Sequence, residues 1–310
     1  MIRILKRSSF ILLFMVVGIV LMACSNEAES KEGIPEENNG ELNKGSEDLK
    51  KLEEEFDVRL GVYAIDTGAD KEISYRENER FAYTSTFKPL AVGAVLQTKS
   101  DEELEETITY SEEDLVTYSP ITEQHVDEGM TLVEIADAAI RYSDNTAGNL
   151  LLEAMGGPDE LETILRDIGD ETIEMDRYET ELNEAKPGDI RDTSTAKAMA
   201  TTLQQYVLED VLDADRREVL TNMLINNTTG DALIRAGVPD GWTVGDKTGA
   251  GGYGTRNDIG IIWPEGDEEP IVIAIMSSRD EEDADYDDKL IEKATEIVLQ
   301  ELRNHHHHHH

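Results

Sequence analysis

Residues 85–96 read Ser-Thr-Phe-Lys-Pro-Leu-Ala-Val-Gly-Ala-Val-Leu. Ser85 and Lys88 stand three apart at the head of an apolar helical stretch, 89–96, and that spacing sets the hydroxyl and the amine on one face of the first turn. A lysine beside a hydroxyl can activate it or shuttle its proton once burial or neighbouring charge tunes its pKa. The spacing alone is a weak signal, because Ser194 and Lys197 repeat it; there a helix cap followed by a solvated lysine is expected. Pro89 disfavours helical geometry at Lys88 and is tolerated if the helix begins close to Ser85.

Working outward, helical spacing persists to about Asn227, with helices expected over 131–142, 145–155, 159–168, 193–208 and 215–226, several opened by Thr, Asn or Asp caps. After Gly230 strand signals return over 242–248, 258–263 and 271–277, and an amphipathic helix over 286–302 closes the chain. Upstream, a helix from Ser46 carries Leu49, Leu52 and Phe56 on one side. It leads into the alternating stretch 59–66, which Asp66 to Gly68 turns into a hairpin ending at Tyr75. Strands at both ends and helices between them predict a two-lobed α/β fold. An antiparallel sheet flanked by helices comes from 46–84 and 231–304, and an all-helical lobe comes from 85–230. Sites tend to lie between such lobes.

Both termini read as processing features. Residues 1–23 have Arg3, Lys6 and Arg7 ahead of an apolar run too short for a bilayer span, which fits a signal peptide. Leu21-Met22-Ala23-Cys24 resembles a lipoprotein signal, so Cys24 is expected to be lipidated and the body to lie outside the cytoplasmic membrane, anchored by lipid or released. Residues 24–45, with few apolar residues, are expected to be a flexible tether, and His305 to His310 a tag. Cys24 is the only cysteine, so no disulfide braces the fold. Removing the three basic residues of 1–23 takes the net charge from −40 to −43. Such a surface repels nucleic acid. Beyond solubility, the charge is read as adaptation to high salt, where screening relieves self-repulsion.

Apart from the tag the chain has one histidine, His125, in a polar stretch. A zinc hydrolase lacks its ligands here, and a Ser-His-Asp triad would depend on that single residue. The glycines near Lys247 do not form a phosphate-cradling Gly-x-x-x-x-Gly-Lys pattern.

Two further motifs raise Ser85 above Ser194. Ser143-Asp144-Asn145 joins two expected helices, and Lys247-Thr248-Gly249 ends an expected strand. In this order the three motifs resemble those of class A β-lactamases and penicillin-binding proteins. Arg177-Tyr-Glu-Thr-Glu-Leu-Asn183 resembles the start of the class A Ω-loop and Arg191-Asp-Thr193 its end, giving a loop over about 176–193. The resemblance runs from about Ser46 to Arg303 and is strongest to the penicillinases of Gram-positive bacilli. It implies the serine β-lactamase/D,D-peptidase-like fold, no cofactor or metal, β-lactam antibiotics as substrates and a monomer.

Carried over residue by residue, the resemblance implies that Ser85 attacks the lactam carbonyl while Lys88, or Glu179 through a water, takes its proton. Backbone N–H groups of Ser85 and Ala250 would hold the oxyanion, and Ser143 would protonate the departing nitrogen. Asn145 would contact the acylamide chain. Lys247, Thr248, Gly249 and Arg256 would receive the substrate carboxylate, and Tyr118 would line the entrance. Glu179 and Asn183 would place the deacylating water, with Arg177 pairing Asp192 across the loop neck.

Two departures matter. Thr180 stands where many relatives carry proline after a cis bond, so either the bond is cis without proline or it is trans and Glu179 is displaced. Thr84 and Gly251 occupy the positions of the disulfide found in the carbapenem-hydrolysing branch, so carbapenem hydrolysis is not expected. Two alternatives share the motifs: a peptidoglycan D,D-peptidase, which lacks the segment 179–183, and a lipoprotein that senses β-lactams by remaining acylated.

Overall fold

The structure is a computed structural model and describes residues 43–307. The expected signal peptide, Cys24 and most of the tether lie outside them, as do the last three histidines. The tether is shorter than expected at its far end: helix α1 spans Asn43–Phe56, starting before Ser46.

Strands β1 (Arg59–Asp66), β2 (Lys71–Tyr75), β7 (Thr243–Ala250), β8 (Arg256–Trp263) and β9 (Ile271–Ser278) form one antiparallel sheet in the order β2-β1-β9-β8-β7. Val62 lies opposite Ile275 and Lys247 opposite Ile259. The central strands read as near-continuous apolar runs because both faces are covered. On β9, Ile271, Ile273 and Ile275 join Leu49 and Leu52 of α1 and Leu290, Ile291 and Val298 of α9 (Lys289–His307) in one cluster. Val272, Ala274 and Met276 face the opposite way, into the larger cluster with the helices. This is the period of 2 that puts alternate strand residues on opposite sheet faces.

The helical part contains α2 (Lys88–Thr98), α3 (Asp101–Leu104), α4 (Leu132–Arg141), α5 (Asn145–Ala154), α6 (Pro158–Asp167), α7 (Ala196–Leu208) and α8 (Ala214–Ile225). α2 is buried from Lys88 to Leu96, as a helix apolar all round must be. At Gly93 a Cβ would come 2.6 Å from the Tyr206 ring, so α7 can approach only a glycine there.

Two expectations are corrected. Residues 193–195 are not helical: Thr193–Thr195 is a short strand, β6, paired with β3 (Arg80–Ala82), as β4 (Thr107–Ile108) is with β5 (Met130–Thr131). Ser194 is therefore not the helix cap. Thr195 is, its hydroxyl accepting from the Ala198 N–H at 3.1 Å. The last helix starts at Lys289 rather than at Tyr286 and runs on to His307. Three-residue strands carry too little alternation to announce themselves, and pairing with a distant segment decides them.

Candidate active site

The nucleophile candidate sits on a 3₁₀ turn, Thr84–Phe87, that feeds directly into α2. Lys88 is helical despite Pro89, which occupies the first turn, where a missing N–H costs least. Thr84 has φ +52°, a region a β-branched residue rarely adopts. Buried Asn257 holds it there, its amide donating to the carbonyls of Ala82 and Tyr83 and to Thr84 Oγ1 at 2.9–3.1 Å. Gly249 is required beside it, because a Cβ there would overlap the Thr84 hydroxyl. Strain of this kind is found where surrounding structure over-determines a functional turn.

The turn brings Lys88 Nζ to 3.0 Å from Ser85 Oγ. The same ammonium donates to Ser143 O at 2.9 Å, to Asn145 Oδ1 at 2.8 Å and to Ser143 Oγ at 3.3 Å. It lies 3.8 Å from Glu179 Oε1. Lys88 is wholly buried, and burial pulls its pKa below the usual lysine value, against the opposing pull of Glu179 and Asp144. Lys247 reaches Ser143 Oγ from the sheet side at 2.9 Å. It is also buried, and burial followed by repulsion from Lys88 holds it well below its ordinary value. Ser143 Oγ thus takes hydrogen bonds from both lysines, which leaves its own proton to be donated elsewhere.

Asp144 fixes the Ser143 corner. Its carboxylate caps α5 through the Ala147 N–H at 2.9 Å and accepts from the N–H groups of Ile121 and Thr122. Ser143 adopts φ +55° in that corner.

The segment 176–193 closes the other side. Arg177 Nε lies 2.6 Å from Asp192 Oδ2 across the loop neck, and Asp192 Oδ1 accepts from the N–H groups of Asp176 and Arg177 and from the Tyr83 hydroxyl. The Glu179–Thr180 peptide is cis, and Glu179 is buried in the site. Asn149 holds both its backbone groups: Asn149 Oδ1 accepts from Glu179 N–H at 2.7 Å and its amide donates to Glu179 O at 3.1 Å. Glu179 Oε2 accepts from Asn183 at 2.9 Å, while Oε1 takes no hydrogen bond among the described residues.

Between these walls lies a cleft of about 400 Å³. Ser85, Ser143, Asn145, Asn183 and Ala250 line it, with exposed Tyr118 at its edge. Thr248, Gly249 and Arg256 form the sheet side. Arg256 is braced by Asp288 at 2.9 Å and lies over the Tyr286 ring, 4.6 Å from its centre. Of the other expected residues, Lys88 and Lys247 contact the cleft serines from buried positions, Glu179 is buried 3.8 Å from Lys88, and Arg177 and Asp192 pair at the loop neck rather than lining the cleft.

Sequence reasoning did not find Asn149, Asn257, Thr229 or the buried pair Asp246 and Asp258. Thr229 shares a 2.7 Å hydroxyl contact with Thr248 and is held by Asn227, whose amide donates to Asp246 at 3.0 Å. Asp246 also pairs with Arg235 at 2.9 Å. Burial first, then the charge of Asp246, pushes Asp258 well above the carboxylate range. A proton shared across the pair accounts for the oxygen on each that lacks another partner. The available signal was one acid within each of two expected strands, Asp246 in 242–248 and Asp258 in 258–263.

Comparison with known proteins points to one family. Residues 44–302 match the model of the beta-lactamase enzyme family. A beta-lactamase of Bacillus licheniformis is 54% identical over 299 residues, covering 96% of this chain and 95% of the relative. One from Bacillus amyloliquefaciens is 60% identical over 252 residues, covering 81% and 82%. The crystal structure of a class A beta-lactamase from Clostridium kluyveri superposes with a TM-score of 0.82 at 48% identity, over 83% of this chain and 98% of that one. The chain belongs to the beta-lactamase enzyme family and is a class A β-lactamase, a hydrolase of the antibiotic-resistance type.

Proposed function

We propose that the chain hydrolyses the β-lactam amide of penicillins, and of some cephalosporins, through an acyl-enzyme on Ser85 that a water activated by Glu179 releases. The observation that carries this reading is the pairing of the Ser85–Lys88 contact with a buried Glu179 whose Oε1 takes no hydrogen bond among the described residues. One group is placed to start acylation and the other to end it.

In acylation Ser85 Oγ attacks the lactam carbonyl carbon and gives its proton to Lys88, the side chain in direct contact with it. A desolvated lysine is a competent base because its neutral form is accessible. Backbone N–H groups of Ser85 and Ala250 stabilise the developing oxyanion, usually the largest electrostatic contribution in acyl transfer. The carbon–nitrogen bond then breaks, and the nitrogen takes its proton from Ser143, which Lys88 resupplies. Lys247, Thr248 and Arg256 receive the substrate carboxylate, a positive wall suited to an anionic drug in an acidic protein. In deacylation Glu179 Oε1 takes a proton from a water held with Asn183. The hydroxide adds to the ester carbon, and Ser85 leaves with a proton returned to it.

The buried Glu179 favours a hydrolase over a D,D-peptidase or an acyl-trapping sensor. Turnover of a chromogenic cephalosporin by the purified protein tests this: many product molecules per chain support it, and a single burst of one equivalent contradicts it.

We also propose that Cys24 carries lipid and tethers a monomer outside the cytoplasmic membrane; an unmodified Cys24 in the mass spectrum of the native protein would remove that claim. The net charge of −40 supports a further proposal of salt adaptation. Thermal stability should then rise with molar sodium chloride, and a flat or falling melting temperature would count against it.

A further inference from the structure

A second cavity, of about 280 Å³, opens where residues 185–191 lie against β1, β3 and the end of β9. Its wall carries Arg59, Arg80, Lys186, Arg191 and Arg279. In a chain with 68 acidic and 28 basic residues, five cations on one wall is the reverse of what composition alone would place there. Only two acids, Asp189 and Asp280, share that wall.

The charges do not cancel. Arg191 is committed to Asp189 at 2.9 Å, and Arg59 is near Glu79 at 3.5 Å. Arg80, Lys186 and Arg279 have no carboxylate within salt-bridge distance among the described residues. Arg80 donates to Thr193, and Arg279 to the backbone oxygens of Phe56 and Asp285. Asp280 is exposed and offsets one charge, leaving an excess of about two.

Unpartnered buried polar atoms mark the same wall. Eight buried side-chain atoms lack a hydrogen-bond partner among the described residues. Two of these, the Thr255 hydroxyl and Arg279 Nε, belong to residues lining this cavity, and Thr255 is only 1% exposed. A guanidinium nitrogen can only donate and a hydroxyl can donate. Buried donors are nearly always satisfied, so an exception calls for an acceptor.

We infer that this cavity binds a multivalent oxyanion of phosphate chemistry, held by Arg80, Lys186 and Arg279 with the Thr255 hydroxyl as a neutral donor. Several acceptor oxygens around one centre suit cations carried on one wall by separate chain segments, and charge-assisted bonds of this type are the strong ones. The site is separate from the catalytic cleft, and its test does not depend on turnover.

Titration calorimetry of the full chain with sodium phosphate, at ionic strength held constant with sodium chloride, should show saturable binding of one ion per chain. Lys186→Glu changes an exposed side chain and should weaken it by roughly tenfold or more, the loss expected for a charge-assisted contact. Thr255→Val keeps the shape, should weaken it several-fold and should leave the phosphate-free melting temperature unchanged or higher, because the hydroxyl makes no hydrogen bond among the described residues. Glycerol phosphate distinguishes sources: binding comparable to inorganic phosphate indicates a phosphate carried on a larger molecule, and exclusion indicates the free ion. Non-saturable heats, equal affinity for acetate, or phosphate affinity unchanged in both variants would overturn the inference.

Discussion

The molecule contains two Ser-x-x-Lys segments, and they fold differently. Ser85 and Lys88 share one continuous turn-to-helix segment, so the side chains meet at 3.0 Å and the lysine is buried among four oxygen partners. Ser194 instead lies in β6 opposite Phe81, and the chain passes into α7 at Ala196. Lys197 therefore points elsewhere, exposed, with its ammonium 5.7 Å from the centre of the Tyr63 ring. Equal spacing gives reactivity only where the backbone is one element throughout and the lysine is desolvated. A strand-to-helix break between the two residues separates them, and the exposed ammonium is left to solvent rather than held against a serine hydroxyl.

The largest contrast should come from the serines. Ser85→Ala should lower penicillin turnover on the order of 10⁶-fold, the scale for removing an acyl-transfer nucleophile. Ser194→Ala should leave turnover within about twofold and stability unchanged or slightly higher, because its buried hydroxyl makes no hydrogen bond among the described residues. Steady-state kinetics on both variants checks this; loss of activity in Ser194→Ala alone would reverse the assignment.

Next come the lysines. Lys88→Met should slow acylation by about 10²- to 10⁴-fold, the usual worth of a general base, whereas Lys197→Met should be silent. Stopped-flow measurement of acyl-enzyme formation separates this from any effect on release. If both lysine variants acylate at the parent rate, burial of Lys88 is not what distinguishes the two segments.

A smaller effect concerns the carboxyl pair behind Lys247. The folded pKa of Asp258 is raised, so its stabilising contribution is present below the unfolded value and is lost as pH rises through the folded one. Asp258→Asn keeps an acceptor for the Ile234 N–H and offers Asp246 an amide donor in place of the shared proton. The melting temperature of the variant relative to the parent should therefore climb from about pH 4 towards neutrality. A difference that is constant with pH would mean the pair does not share a proton.

Much of the site was legible because its motifs are local. Ser85 with Lys88, and Ser143 with Asn145, each lie within one turn or corner, and Lys247 to Gly249 end one strand. Arg177 and Asp192 were legible only through resemblance, since nothing in the spacing of 15 residues says that the loop closes on itself. β1 was legible from alternation and β8 and β9 from their apolar runs, but β3 and β6 were not, and the misplaced cap at Ser194 followed from that. Asn149 and Asn257 escaped because each acts at a distance of 30 or more than 170 residues, on backbone groups that have no signature of their own.

The account rests most heavily on Glu179 as the base for deacylation. Glu179→Ala leaves Ser85, Lys88 and the oxyanion donors in place, so the variant should still react with benzylpenicillin. Intact-mass spectrometry after mixing should show one persistent antibiotic adduct per chain, with a lifetime at least ~10²-fold longer than in the parent, where little or none accumulates. A Glu179→Ala protein that turns over benzylpenicillin as fast as the parent, with no adduct, would contradict the account.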